Sequence, residues 1–140
     1  MRVLIIKPGQ TVDSERHDII CDLEEMVQQV PSSAATVIDC QDSLDYVMNQ
    51  IETLSVVVSK LRYGGRITLH GLDLYELSLR LLRGEVNLQE TSNLIYNGRQ
   101  SSTGLLDVMH KLEQLGLTIQ IGRLNEIEYY ISAERPLKNE

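Results

Sequence analysis

The sequence predicts an α/β domain: a mixed sheet, mostly parallel, with helices on both faces and an antiparallel hairpin at the C-terminal end. Three observations predict it. Apolar, β-branched runs alternate with amphipathic helical stretches through the middle of the chain, the order that parallel strands with crossover helices require. Two alternating runs at the end flank a polar turn. The 140 residues, 42% of them hydrophobic, suit a single domain over 1–140 that buries a sizeable core.

Taken in order, RVLIIK (2–7) is a strand stopped by Pro8-Gly9, and Gln10 to Arg16 is a polar connection. HDIIC (17–21) is a short strand, after which Asp22 and Leu23 lead into an acidic helix over 24–30, broken by Pro31. AATVIDC (34–40) has the β-branched centre of a strand suited to burial on both faces. Asp42 is placed to cap a long helix, with apolar residues at 44, 47, 48, 51, 54, 58 and 61 on one stripe and Gly64-Gly65 at its end. Strand RITLHG (66–71) follows, and Asp73 caps a helix with apolar residues at 74, 77, 81 and 82. Residues 84–100 carry weaker signals, with a short helix over 89–96 and a turn at Asn97-Gly98. Ser101-Ser102 opens an amphipathic helix that Gly116 ends, and runs 117–121 and 127–133 form the hairpin.

Composition excludes several classes. The formal charge is −7, and it is spread evenly: residues 1–70 carry 6 basic and 10 acidic side chains, and 71–140 carry 7 and 10. The most basic local patch, Lys60, Arg62 and Arg66, is too small for a phosphate-tracking groove, so no nucleic-acid binding is predicted. Apolar runs such as Val56-Val57-Val58 are too short to cross a bilayer, and the run before Lys7 is too short for a signal peptide, so a cytoplasmic location is expected. Cys21 and Cys40 are expected as small buried hydrophobes, and the scattered His17, His70 and His110 predict no metal site. Ser101 and Ser102 lack the elbow sequence of a hydrolase nucleophile.

From about residue 18 to 136 the order of elements resembles the later part of a class I S-adenosylmethionine-dependent methyltransferase, a Rossmann-like fold. DIICDLEEM is similar to the family's strand ending in an acidic residue, where it meets the adenosine. ATVIDCQDSLDYVMNQI resembles the strand and helix start that members write with Leu-Glu-His-Val, here Leu44-Asp45-Tyr46-Val47. VVVSKLRYGGRITL is similar to Leu-Lys-Pro-Gly-Gly before an apolar strand, with Arg62-Tyr63 replacing Lys-Pro. LLDVMHKLEQLGLTIQI and EYYISAERP look like the family's last helix and final strands. The departure lies at the front, where RVLIIKPGQ carries one glycine in place of a Gly-x-Gly-x-Gly turn. Only ten residues run from Pro8 to His17, too few for a helix with its loops, so the cofactor-loop region is shortened. A short connection could instead make 2–7 and 17–21 antiparallel neighbours.

The resemblance implies site residues. Asp22 and Leu23 correspond to the adenosine end of a cofactor site, Asp39 and Cys40 to its methyl-transfer end. Against this, Asp22 also suits a helix cap and Asp39 an ordinary strand terminus. His70 with Asp73 is the one histidine–carboxylate pair at a strand end, where a base could deprotonate an acceptor; Asp73 equally suits an N-cap. The expectation is a degenerate methyltransferase-like pseudoenzyme that requires no cofactor and serves binding, assembly or regulation through a protein partner or self-association. The alternative is an active small methyltransferase with an atypical or intersubunit S-adenosylmethionine site.

Overall fold

The computed structural model describes residues 1–138. Its strands are β1 (Arg2–Ile5), β2 (Ile19–Cys21), β3 (Ala35–Gln41), β4 (Leu61–Leu72), β5 (Thr118–Asn125) and β6 (Glu128–Glu134). Its helices are α1 (Leu23–Gln29), α2 (Gln50–Lys60), α3 (Leu74–Leu82), α4 (Leu88–Ile95) and α5 (Leu105–Gln114), with a single 3₁₀ turn at Leu44–Tyr46. The strands form one sheet in the order β2-β1-β3-β4-β6-β5. The first four run parallel, and β6 pairs antiparallel with β4 and β5, so the expected mixed sheet with its terminal hairpin is present.

Strand order dictates where the helices go. From β2 to β3 to β4 the chain moves across the sheet in one direction, and right-handed connections then place α1 and α2 on the same face. Helix α5 packs beside α2 and on the hairpin, joining that layer. Register rows show the result. Val3, Ile38, Ile67 and Ala133 lie side by side across four strands, as do Ile5, Cys40, Leu69 and Ile131. Together with Met26, Leu54, Val57, Val108 and Leu112 from the helices, they make one buried core.

The step from β1 to β2 goes the other way, so its connection belongs on the opposite face. That connection, residues 6–18, contains no helix. Instead a strap crosses the sheet: thirteen residues can reach at most ~43–47 Å, several times what a three- or four-residue strand pair demands. The antiparallel alternative for residues 2–7 and 17–21 is thus corrected: β1 and β2 are parallel, with Val3 beside Ile19 and Ile5 beside Cys21. The expectation of helices on both faces also narrows: α1, α2 and α5 share one face, and the strap crosses the other. β3 is correspondingly buried on one side only, with Ile38 and Cys40 in the core and Val37, Asp39 and Gln41 on the opposite face.

Two local expectations change. Asp42 does not cap α2; it takes a left-handed conformation (φ +48°) that ends β3, and Asn49 caps the helix by accepting the Glu52 N–H. The helix stops at Lys60 because Leu61 turns extended and pairs with Ala35, so Gly64-Gly65 fall inside β4. There Gly64 (φ +81°) forms the irregularity where β4 shifts register, and its N–H donates to the Arg135 carbonyl. The Asp73 cap of α3 and the Asp22 cap of α1 stand as expected.

Gly71 lies opposite Tyr129 in the β4–β6 pair, and a Cβ there would sit 2.5 Å from the buried Tyr129 hydroxyl oxygen. Gly71→Ala is therefore expected to cost about 1–3 kcal/mol by overpacking, read as a lower urea midpoint with an unchanged slope, and Gly71→Ala with Tyr129→Leu should recover part of it.

Candidate functional site

Open α/β sheets bind ligands at the carboxyl ends of their parallel strands. Here β1 runs out into Ile6-Lys7-Pro8-Gly9, where Gly9 (φ +78°) lets the chain turn into the strap. β2 ends at Cys21, and the Asp22 carboxylate accepts the Glu25 N–H at 2.9 Å to start α1. Two adjoining cavities open at this mouth. One of about 320 Å³ is lined by Lys7, Gln10, Thr11, Asp22 and Glu25; one of about 210 Å³ by Asp22, Leu23, Ser43, Tyr46 and Gln100. Asp22 belongs to both, and its charge is the main cause that raises the Glu25 carboxyl above its ordinary value.

A buried ion pair lies behind the mouth. Arg99 Nε donates to Asp45 Oδ2 at 3.1 Å and its Nη1 donates to the Leu94 carbonyl, while the Asp45 carbonyl accepts the N–H groups of Gln100 and Ser101. Asp45 is only 2% exposed, and burial raises its carboxyl above the usual carboxylate value; the hydrogen bond and charge of Arg99 pull it back only in part. The Tyr46 ring has two cations near it, Lys7 Nζ at 5.9 Å and the Arg99 guanidinium at 5.7 Å from its centre.

The other candidates disperse. Cys40 is in the core, and burial holds its thiol at about 12, with Cys21 at about 11, so both are protonated at neutral pH. Asp73 is 4% exposed and fully engaged: Oδ1 accepts the Glu76 N–H and Oδ2 the Leu105 N–H, each at 2.8 Å, fixing the starts of both α3 and α5. His70 points away from it, onto the open face, with its ring 4.8 Å from that of Tyr130.

Asp39 is on that same open face. Its Oδ1 accepts the Thr68 hydroxyl at 2.5 Å, and its Oδ2 lies 2.6 Å from His17 Nε2. His17 Nδ1 is in turn 2.6 Å from Ser14 Oγ, which also accepts the Arg16 N–H. A carboxylate only accepts, so in the neutral ring Nε2 carries the proton and Nδ1 accepts from Ser14. Serine, histidine and aspartate in series match the connectivity of an activated hydroxyl, with the two ring nitrogens interchanged. Here the series tethers the strap to the sheet. Residues so far apart in sequence give no sign of this series, although one signal is present: polar residues at alternate positions in Asp39/Gln41, Arg66/Thr68/His70 and Tyr130/Ser132/Glu134 mark one wet face across three strands. Among the described residues no cluster of three or more His, Cys, Asp or Glu side chains could hold a metal ion.

Comparison with solved structures places the architecture. An S-adenosylmethionine-dependent methyltransferase from Mesorhizobium loti superposes with a TM-score of 0.61 at 12% identity, covering 91% of this chain and 74% of its own. One from Methanosarcina mazei gives 0.59 at 15% identity, covering 94% and 74%. The chain shares the fold of S-adenosylmethionine-dependent methyltransferases. It spans 35% of the matching chain of the CurJ carbon methyltransferase, at a TM-score of 0.60 and 15% identity. It spans 64% of a chain from the Haloferax volcanii complex of the Trm112 methyltransferase activator, at a TM-score of 0.60 and 7% identity. No family model and no curated protein matches the sequence, and no helix is long and apolar enough to cross a membrane among the described residues.

Two outcomes follow for this version of the methyltransferase fold. A raised folded-state value means that the protonated Asp45 favours the fold, and that this stabilisation is lost as pH rises from the ordinary value through the raised one. Arg99→Gln removes the opposing pull, so its deficit should be small below about pH 4 and grow with pH to about 3–5 kcal/mol near neutrality, measured by denaturant unfolding across the pH range. His17→Ala should cost about 1–2 kcal/mol and speed amide exchange in residues 10–18 while leaving the β3–β4 amides protected.

Proposed function

We propose that the chain is a degenerate methyltransferase-like module that binds or assembles with a protein partner, or with itself, and does not transfer methyl groups. The observation that carries this is the β1–β2 connection. Residues 6–18 form a strap with one glycine and no helix, which supports a reading without the turn and helix N-terminus whose backbone N–H groups would cradle a cofactor. Methyl transfer depends on positioning two substrates, and a mouth without those backbone contacts positions poorly. Support for a protein partner comes from α3 and α4, where Tyr75, Leu82, Leu88 and Tyr96 are 68% to 85% exposed. A related chain in the Trm112 complex gives precedent for assembly by this fold.

A second reading, a small active methyltransferase with an atypical or intersubunit site, is favoured by one observation: the two cavities that share Asp22 are open. Calorimetric titration with S-adenosylmethionine and S-adenosylhomocysteine separates the two. The module reading expects no heat and no thermal shift at about 1 mM of either ligand. Binding tighter than about 100 μM, lost in Asp22→Ala, overturns it; ligand at 100 times the dissociation constant then stabilises by about 2.7 kcal/mol.

A further inference from the structure

We propose that the open face of the sheet is a binding site for a small phosphoryl-bearing molecule, held by Arg2, Arg16 and Arg66. Nothing in the methyltransferase-like reading requires this site, which lies on the sheet face and not at the strand ends.

The chain carries a net charge of −7, yet a cavity of about 370 Å³ on this face gathers three arginines. Register fixes two of them. Arg2 on β1 and Arg66 on β4 both align with Val37 of β3, so they flank it from two strands apart, ~10 Å between their Cα atoms. That separation is within reach of two guanidinium groups converging on one point. Arg16 arrives from the strap, and its neighbour His17 is tied to Asp39, one row along on the same face. Among the described residues none of the three arginines forms an ion pair.

Three acids lie nearby, each hydrogen-bonded to another group and none within ion-pair distance of these guanidinium groups. Asp39 has one oxygen on Thr68 and the other on His17. Glu134, opposite Arg66, accepts from Gln120 at 2.7 Å. Asp18 accepts the backbone N–H of Arg2 at 2.8 Å. An unpaired cationic group of this kind lowers its energy by taking an anion.

The arrangement selects the anion. A planar carboxylate is satisfied by one guanidinium fork, whereas three forks arriving from three strand and strap positions match the several terminal oxygens of a tetrahedral phosphoryl group. Beyond them the His70–Tyr130 ring pair bounds the cavity and gives the rest of the molecule an aromatic wall.

The test is an NMR titration of the full chain with inorganic pyrophosphate at fixed, low ionic strength, with succinate and chloride in parallel. The amides of Arg2, Arg16, His17 and Arg66 should shift and saturate, with pyrophosphate binding at least about 10-fold tighter than succinate. Arg16→Gln with Arg66→Gln should weaken it by at least about 10-fold; Arg62→Gln with Arg83→Gln, and separately Asp22→Ala, should leave it unchanged. Three results overturn the proposal: equal response to succinate or chloride, undiminished binding in the Arg16/Arg66 variant, or an oligoglutamate peptide saturating these amides at lower concentration than pyrophosphate. The last assigns the face to an acidic protein. The Asp22→Ala control keeps this outcome separate from the cofactor titration.

Discussion

The handedness of parallel-strand connections organises this molecule. Once β2, β3 and β4 are laid down in one direction across the sheet, α1 and α2 have a single face available, and the hairpin brings α5 to the same side. The reverse step from β1 to β2 is the one that sends chain to the other side. Because thirteen residues without a helix satisfy that step, the second face receives a strap from it. Core, open face and strand-end mouth all follow from this asymmetry.

A mostly parallel sheet with one wet face is unusual, since crossover helices normally bury both. The side chains here accommodate it by period-two alternation. Inward positions on the four central strands are mostly Val, Ile, Leu, Cys and Ala, with Tyr129 on β6, and outward positions are mostly polar, with Leu4 and Val37 as apolar exceptions. The strap stays down through few contacts, chiefly the Ser14–His17–Asp39–Thr68 series and the backbone bonds at its two ends, Ile6 to Cys21 and Asp18 to Arg2. The polar bonds join it to the sheet beside the buried Leu4 and Ile6, while the helical side is held by a continuous apolar core.

Much of the fold was legible in the sequence. The strands, the Asp22 and Asp73 caps and the terminal hairpin are local patterns, and local patterns survive into the structure. Legibility failed where two local signals competed. Asp42 was read as the cap where the structure uses Asn49, and tertiary pairing of Leu61 with Ala35 ended α2 before its glycines. The spatial grouping of the site residues was hidden for a different reason. Asp39 and Cys40 are neighbours in sequence, but a strand sends them to opposite faces, so one joins a polar network and the other the core. His17, Asp39 and Thr68 belong to three segments, and only sheet order brings them together.

The double grip of Asp73 has a consequence for how the chain tolerates change. The same carboxylate starts α3 and α5, and Asp73 is bridged to Thr103, so the chain leaves and re-enters the body at nearly one point. What lies between is an appendage on a closed collar, with Arg99 and the Asp45 carbonyl as a second clasp near its return. Inserting residues at the α3–α4 joint around Gly84 lengthens a loop whose ends are already joined, at ~0.6 kcal/mol per doubling, and leaves the sheet untouched. The α3–α4 arm is therefore the natural place for grafting a tag or a foreign segment onto this scaffold.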